Sequence, residues 1–169
     1  AADAFIAREK IAELKPDVML LDIEMPQMDG LTFLEQLMAN NPMPVILVSS
    51  LVKERNSTIA LRGLELGAAD VIAKPGPAYS VKEMSEQLIE KIKAAAQLKQ
   101  CKRFLEVIAA PVPITPKIAE RLANTSKIIA IGAATGGPAA IAAILTRLPK
   151  GMPPVLVVQH MPSHFLNAF

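Results

Sequence analysis

The sequence predicts an α/β chain built on parallel strands, laid out as two pieces joined by a linker. Three observations carry that expectation. Five apolar, β-branched-rich runs of strand length recur along the chain. Stretches with helical periodicity follow them. A proline-rich segment separates the first three strands from the last two.

The first run, Val18 to Leu21, is apolar throughout, as strands covered on both faces are. It ends in Asp22. Met25-Pro26-Gln27-Met28-Asp29-Gly30 then makes a turn into a helix over Leu31 to Met38, with Leu31, Leu34 and Met38 on one face. The second strand, Val45 to Val48, ends in Ser49-Ser50. A helix from Thr58 to Leu66 follows, with Ile59, Gly63 and Leu66 inward. The third strand, Val71 to Ala73, ends in Lys74-Pro75, a bond of the kind that can be cis.

Val81, Met84, Leu88, Ile92 and Ala95 recur at spacings of three and four, with lysines and glutamates elsewhere, so Val81 to Leu98 reads as an amphipathic helix closing the first piece. Ala110-Pro111-Val112-Pro113-Ile114-Thr115-Pro116 then favours extended chain, because proline removes backbone donors. The expected linker is 99–126. The second piece starts a strand at Lys127, with its apolar run from Ile128 to Ile131. The turn Gly132-Ala133-Ala134-Thr135-Gly136-Gly137-Pro138, an Ala-rich helix from Ala139 to Leu145, and a strand from Val155 to Val158 complete it.

Composition excludes several classes of protein. With 51% hydrophobic and 20% charged residues the chain can bury a core. No apolar run approaches the roughly 18 residues that span a bilayer, so no membrane insertion and a cytoplasmic location are expected. Cys101 is the single cysteine, which leaves no partner for an internal disulfide or a thiolate metal site. The net charge of +2 divides into −4 over residues 1–80, +4 over 81–127 and +2 over 128–169. The basic middle is interrupted by Glu83, Glu86, Glu90 and Glu106 and has almost no aromatic interleaving, which argues against nucleic acid.

Chemistry-bearing residues gather at strand ends. Parallel sheets place their reaction sites at the carboxyl ends of the strands, so Asp22, the Ser49 hydroxyl and the Lys74 ammonium should converge on one rim. A carboxylate, a hydroxyl and a lysine there suit a phosphoryl-aspartate site, with Asp22 as nucleophile and the other two stabilising phosphoryl oxygens. Mg²⁺ would complete it. In the second piece, the small-residue turn before a helix suits a nucleophile elbow, a phosphate loop or a plain structural turn. His160 lies at the end of the following strand, on the same rim. His164 follows at a four-residue spacing, but Pro162 lies between and no cysteine or carboxylate joins them, so no metal site is expected there.

The stretch Asp17-Val18-Met19-Leu20-Leu21-Asp22-Ile23-Glu24-Met25-Pro26, with Val48-Ser49-Ser50 and Gly67-Ala68-Ala69-Asp70-Val71-Ile72-Ala73-Lys74-Pro75, closely resembles the receiver domain of bacterial response regulators. The resemblance implies a flavodoxin-like fold with Asp22 as phosphoacceptor, Ser49 as switch hydroxyl and Lys74 as phosphate-sensing lysine. It also implies that Asp22 and the Glu24 backbone carbonyl serve as Mg²⁺ ligands, and that a histidine kinase is the phosphodonor. The receiver's first strand, with the acidic pair that holds Mg²⁺, and its first helix have no counterpart in residues 1–98. The often aromatic position three before Lys74 is Val71.

Ile131-Gly132-Ala133-Ala134-Thr135-Gly136-Gly137-Pro138 and Val157-Val158-Gln159-His160-Met161-Pro162 are similar to the start of the catalytic domain of the chemotaxis protein-glutamate methylesterase family, whose members pair it with a receiver. Residues 127–169 would then be the first βαβ unit of a doubly wound α/β domain. The family's activity is hydrolysis of methyl esters on receptor glutamates, and deamidation of glutamines, by a cofactor-free Ser-His-Asp triad; its substrates are methyl-accepting chemotaxis receptors. By this resemblance His160 is the triad histidine, Ala134 stands at the serine position, and Thr135 is its neighbour on the turn. No Asp or Glu follows Glu120, so the expected state of this chain is inactive. The alternative is a non-catalytic, phosphorylation-responsive regulator whose second domain only binds partners. A nucleotide-binding second domain ranks last, because the turn carries no basic residue.

Overall fold

The computed structural model describes residues 1–49, 54–74, 81–98, 126–161 and 165. The first sheet has three parallel strands in the order β1 (Met19–Asp22), β2 (Val45–Ser49), β3 (Asp70–Ala73). Helix α1 (Ala4–Leu14) precedes it, α2 (Gly30–Asn40) and α3 (Glu54–Glu65) connect the strands, and α4 (Val81–Leu98) follows. The second unit is a separate two-stranded parallel sheet, β4 (Ile129–Ala133) and β5 (Val155–Gln159), joined through α5 (Gly137–Leu145). Every strand and helix expected from the periodicity is present, with ends shifted by up to four residues.

Side chains alternate across β2, and that alternation makes two cores. Val45 and Leu47 face one cluster with Phe33, Leu34 and Leu37 of α2, Ala60 and Leu64 of α3, and Ile11 of α1. Ile46 faces the other, with Ala69, Ile72 and Ala95 and the partly buried Leu88, Ile92 and Leu98 of α4. Helices therefore cover both faces of β2 and β3, whereas Leu20 of β1 is 44% exposed, against the expectation that this strand is covered on both faces. Register pairs Asp22 with Val48 and Ser49 with Ala73, which brings the three strand ends together.

Four further features differ from the sequence expectation. Helix α1 was not anticipated: it buries only Ala4 and Ile11, seven residues apart, too sparse a stripe to read as amphipathic. The buried face of α2 centres on Phe33, Leu34 and Leu37, with Leu31 and Met38 at its margins. The strands of the second unit are covered on one face only: Leu156 and Val158 remain 58% and 63% exposed, because α5 packs on the other face through Ile141. Finally, Lys91 of α4 is buried instead of solvated. The Lys74-Pro75 bond, Ser50, Cys101, Pro162, His164 and all of the expected linker but Ser126 lie outside the described residues.

The turn into α2 is held by Asp29, whose Oδ1 accepts from the Leu31 and Thr32 amides at 3.0 Å each. Its Oδ2 accepts from the Thr32 hydroxyl at 2.7 Å. That hydroxyl first, then the Thr32 amide and, more weakly, the Leu31 amide hold the Asp29 carboxyl below the usual carboxylate range, against the opposing effect of burial. A lowered folded-state pKa stabilises the fold above the ordinary carboxylate pKa, and the benefit disappears as pH falls through the folded value. Thr32→Val should therefore move the Asp29 carboxyl titration back up, as read by NMR. Asp29→Ala should cost about 1 kcal/mol in urea denaturation as a lost N-cap.

Candidate functional site

The first strand end is shaped by close approach. A β-carbon at Gly30 would collide with the Asp22 carbonyl oxygen, so only glycine lets α2 start this near β1. The Gly30 amide donates to the Ile23 carbonyl at 2.9 Å, and the Ile23 amide to the Val48 carbonyl at 3.3 Å. Asp22 is thus fixed at the rim of the sheet. Its Oδ1 accepts from the Glu24 amide at 3.1 Å.

Asp22 Oδ2 meets Lys74 Nζ at 2.6 Å, with the two side chains 35% and 36% exposed. The Lys74 amide donates to the Ser49 carbonyl at 2.7 Å, which ties the lysine to the end of β2. Ser49 itself is buried at that end. The structure therefore brings Asp22, Ser49 and Lys74, 52 residues apart from first to last, to one rim. A half-exposed carboxylate beside an ammonium can attack an electrophilic phosphorus while the ammonium offsets charge on the transferred group. Val71, three before Lys74, is fully buried in the larger core.

A phosphoryl-aspartate site of the kind the sequence suggests would call for a Mg²⁺ ion beside the carboxylate. An octahedral Mg²⁺ takes about six oxygen ligands, several of them water. Both Asp22 oxygens already accept hydrogen bonds, and among the described residues no group of three acidic, histidine or cysteine side chains could hold a metal. Asp22 and the Glu24 carbonyl do not make a Mg²⁺ site by themselves.

The second rim is built around a turn. Gly136 has φ of 81°, a left-handed conformation that glycine adopts without strain, and caps α5. A β-carbon at Gly137 would run into the Gln159 side chain and Ala133. The His160 amide donates to the Ala133 carbonyl at 2.8 Å, and Gln159 Nε2 donates to the Ala134 carbonyl at 2.9 Å and to the His160 carbonyl at 3.0 Å. Exposed Ala134 and exposed His160 therefore share one rim. Thr135 turns away: its hydroxyl donates at 2.6 Å to Oδ2 of Asp70, at the start of β3. That is the end of the first sheet opposite Asp22, so the structure does not bring the two rims together.

Asp70 and Lys91 were not recognised as site residues in the sequence. Lys91 Nζ lies 2.6 Å from Asp70 Oδ2, the side chains being 10% and 5% exposed. One signal was present: Lys91 stands three after Leu88 and four before Ala95, on the buried stripe of α4.

A three-stranded parallel sheet with helices on both faces and an aspartate and a lysine at neighbouring strand ends defines a receiver-type α/β unit. The family model of the response regulator receiver domain matches residues 1–101, and that of the CheB methylesterase matches residues 129–169. The chain belongs to the response regulator receiver family, and its second unit is similar to the start of the CheB methylesterase. It is 50% identical over 171 aligned residues to a protein-glutamate methylesterase/protein-glutamine glutaminase of Syntrophus aciditrophicus, covering 100% of this chain and 49% of that one. A protein of the same description from Pseudomonas aeruginosa is 47% identical over 171 residues, covering 100% and 47%. The chain thus spans about half the length of the curated relatives it matches. The response regulator domain of Thermotoga maritima CheB superposes with a TM-score of 0.50 at 41% identity, over 57% of this chain and 73% of that one. No described helix is long and apolar enough to cross a membrane.

Proposed function

We propose that the full-length protein is a cytoplasmic, phosphorylation-regulated protein-glutamate methylesterase or glutaminase of chemotaxis receptors, and that its hydrolytic site is silent because Ala134 stands where the nucleophile belongs. Residues 1–98 act as receiver, 99–126 as linker and 127–169 as the start of the methylesterase domain. Asp22 takes a phosphoryl group from a histidine kinase and Lys74 and Ser49 hold its oxygens; a Mg²⁺ ion held in part by Asp22 and the Glu24 carbonyl would offset phosphoryl charge. The single observation that carries the receiver reading is the 2.6 Å contact of Lys74 with Asp22 across two crossovers of the sheet. Support for the second domain comes from the shared rim of Ala134 and His160.

The chemistry follows from what each side chain can do. Asp22 offers an oxygen nucleophile, forming an acyl phosphate while the donor's leaving group departs. Lys74 already sits where the phosphoryl charge would develop. His160 could serve as a general base only for a hydroxyl on the turn, and the Ala134 methyl has no proton to give. Incubating the full-length protein with labelled acetyl phosphate and Mg²⁺ should place one base-labile label on the peptide containing Asp22. Asp22→Asn should abolish it, and label persisting in that variant would sink the assignment.

Ala134 also favours a second reading, a regulator that binds receptors or kinase without hydrolysing anything. It predicts that partner binding responds to acetyl phosphate in the wild type and not in Asp22→Asn. Equal binding in both proteins would remove this reading.

A further inference from the structure

Between helices α1 and α2 lies a cavity of about 390 Å³ that takes no part in either rim, a volume within the roughly 300–1,000 Å³ of small-molecule sites. It sits at the far end of α2 from Asp22. Gly30 begins that helix beside Asp22, whereas Asn40 and Asn41 end it at the cavity, about 15 Å away along the axis. We propose that this cavity binds a free α-amino acid with an apolar side chain, its carboxylate on Arg8 and its ammonium at the C-terminal end of α2.

Each part of that ligand has a counterpart among the lining groups. Ile11, Phe33 and Leu37 supply an apolar floor that belongs to the larger core, so an aliphatic or aromatic side chain gains by leaving water there. Arg8 is the charged group of the lining. Its guanidinium donates to Gln36 Oε1 at 2.5 Å, a contact that bridges the two helices and fixes the cation at the mouth. One of its five N–H donors is committed in this way, and the fork geometry of the others suits a carboxylate.

The other end of the cavity has the opposite polarity. Helix α2 terminates there, and the C-terminal end of a helix carries partial negative charge. No basic residue stands in its last turn to offset that charge. Asn40 Nδ2 donates to the Gln36 carbonyl at 2.8 Å, which leaves the Asn40 Oδ1 as an acceptor, and Asn41 adds a second carboxamide oxygen to the lining. A simple anion would meet the guanidinium and also this negative end, and a simple cation would meet the reverse; a zwitterion satisfies both. The site is independent of whether Asp22 is phosphorylated and of what stands at position 134.

Isothermal titration of the full-length protein with L-leucine and L-phenylalanine tests it. Saturable binding is expected with a Kd of about 1 mM or tighter. 4-Methylpentanoate, which lacks the ammonium, and 3-methylbutylamine, which lacks the carboxylate, should each bind about tenfold more weakly or worse. Arg8→Ala should weaken leucine binding by about tenfold or more, and Ala12→Trp, which fills the cavity from its α1 wall, should abolish it. Unchanged melting temperatures would establish that both variants are folded. In the wild type, methyl NMR shifts on adding leucine should centre on Ile11 and Leu37, a readout that needs no variant. The proposal is overturned by the absence of saturable binding, by equal affinity for leucine and 4-methylpentanoate, by leucine binding that is unaffected in Arg8→Ala, or by shifts confined to other residues.

Discussion

Asp70→Ala is expected to destabilise the chain by about 3–5 kcal/mol, because it strands the Lys91 ammonium in an apolar environment. Asp70 and Lys91 sit on the α4 face of the sheet among Ile46, Ile72 and Ala95. The pair costs desolvation to bury and recovers it only while both partners are present. A loss of that size is a large fraction of the roughly 5–15 kcal/mol that holds a domain folded. Urea denaturation followed by circular dichroism would show it as a lower midpoint. Replacing both residues, Asp70→Leu with Lys91→Met, should regain most of the loss, since no charge is left unpaired. A single-variant cost below about 1 kcal/mol would show that the pair is solvated and weak.

Ala134→Ser in the full-length protein is expected to produce methanol from methylated chemoreceptors where the natural chain produces none above background. The expected gain is on the order of 10³-fold or more, the scale on which a missing nucleophile suppresses hydrolysis. The backbone needs little adjustment. Gly136 and Gly137 already shape the turn, Gln159 pins the Ala134 carbonyl, and the His160 amide is bonded to Ala133. Folded Ala134→Ser protein that releases no methanol would favour the binding-only regulator.

The first rim was legible in the sequence because parallel strands put all their carboxyl ends on one side. Once Val18 to Leu21, Val45 to Val48 and Val71 to Ala73 read as strands, the positions of Asp22, Ser49 and Lys74 followed without knowledge of distances. The α4 stripe was legible too, but its apolar members hid Lys91, since a lysine at that spacing reads equally well as a snorkelling surface residue. Only the partner at Asp70, 21 residues earlier, decides that it is buried. Helix α1 escaped because its stability comes from packing Ala4 and Ile11 against the core and from the Asp3 cap, and periodicity does not report either.

By itself, then, the sequence determined the order of strands and helices and the rim that gathers Asp22, Ser49 and Lys74. These are properties of local pattern and of the fixed geometry of parallel sheets. The tertiary structure alone decided that Lys91 is buried on Asp70 and that Thr135 donates its hydroxyl to Asp70 at the start of β3. Those outcomes depend on contacts between residues 21 and 65 positions apart, where burial turns one hydrogen bond or ion pair into a requirement that no local pattern encodes.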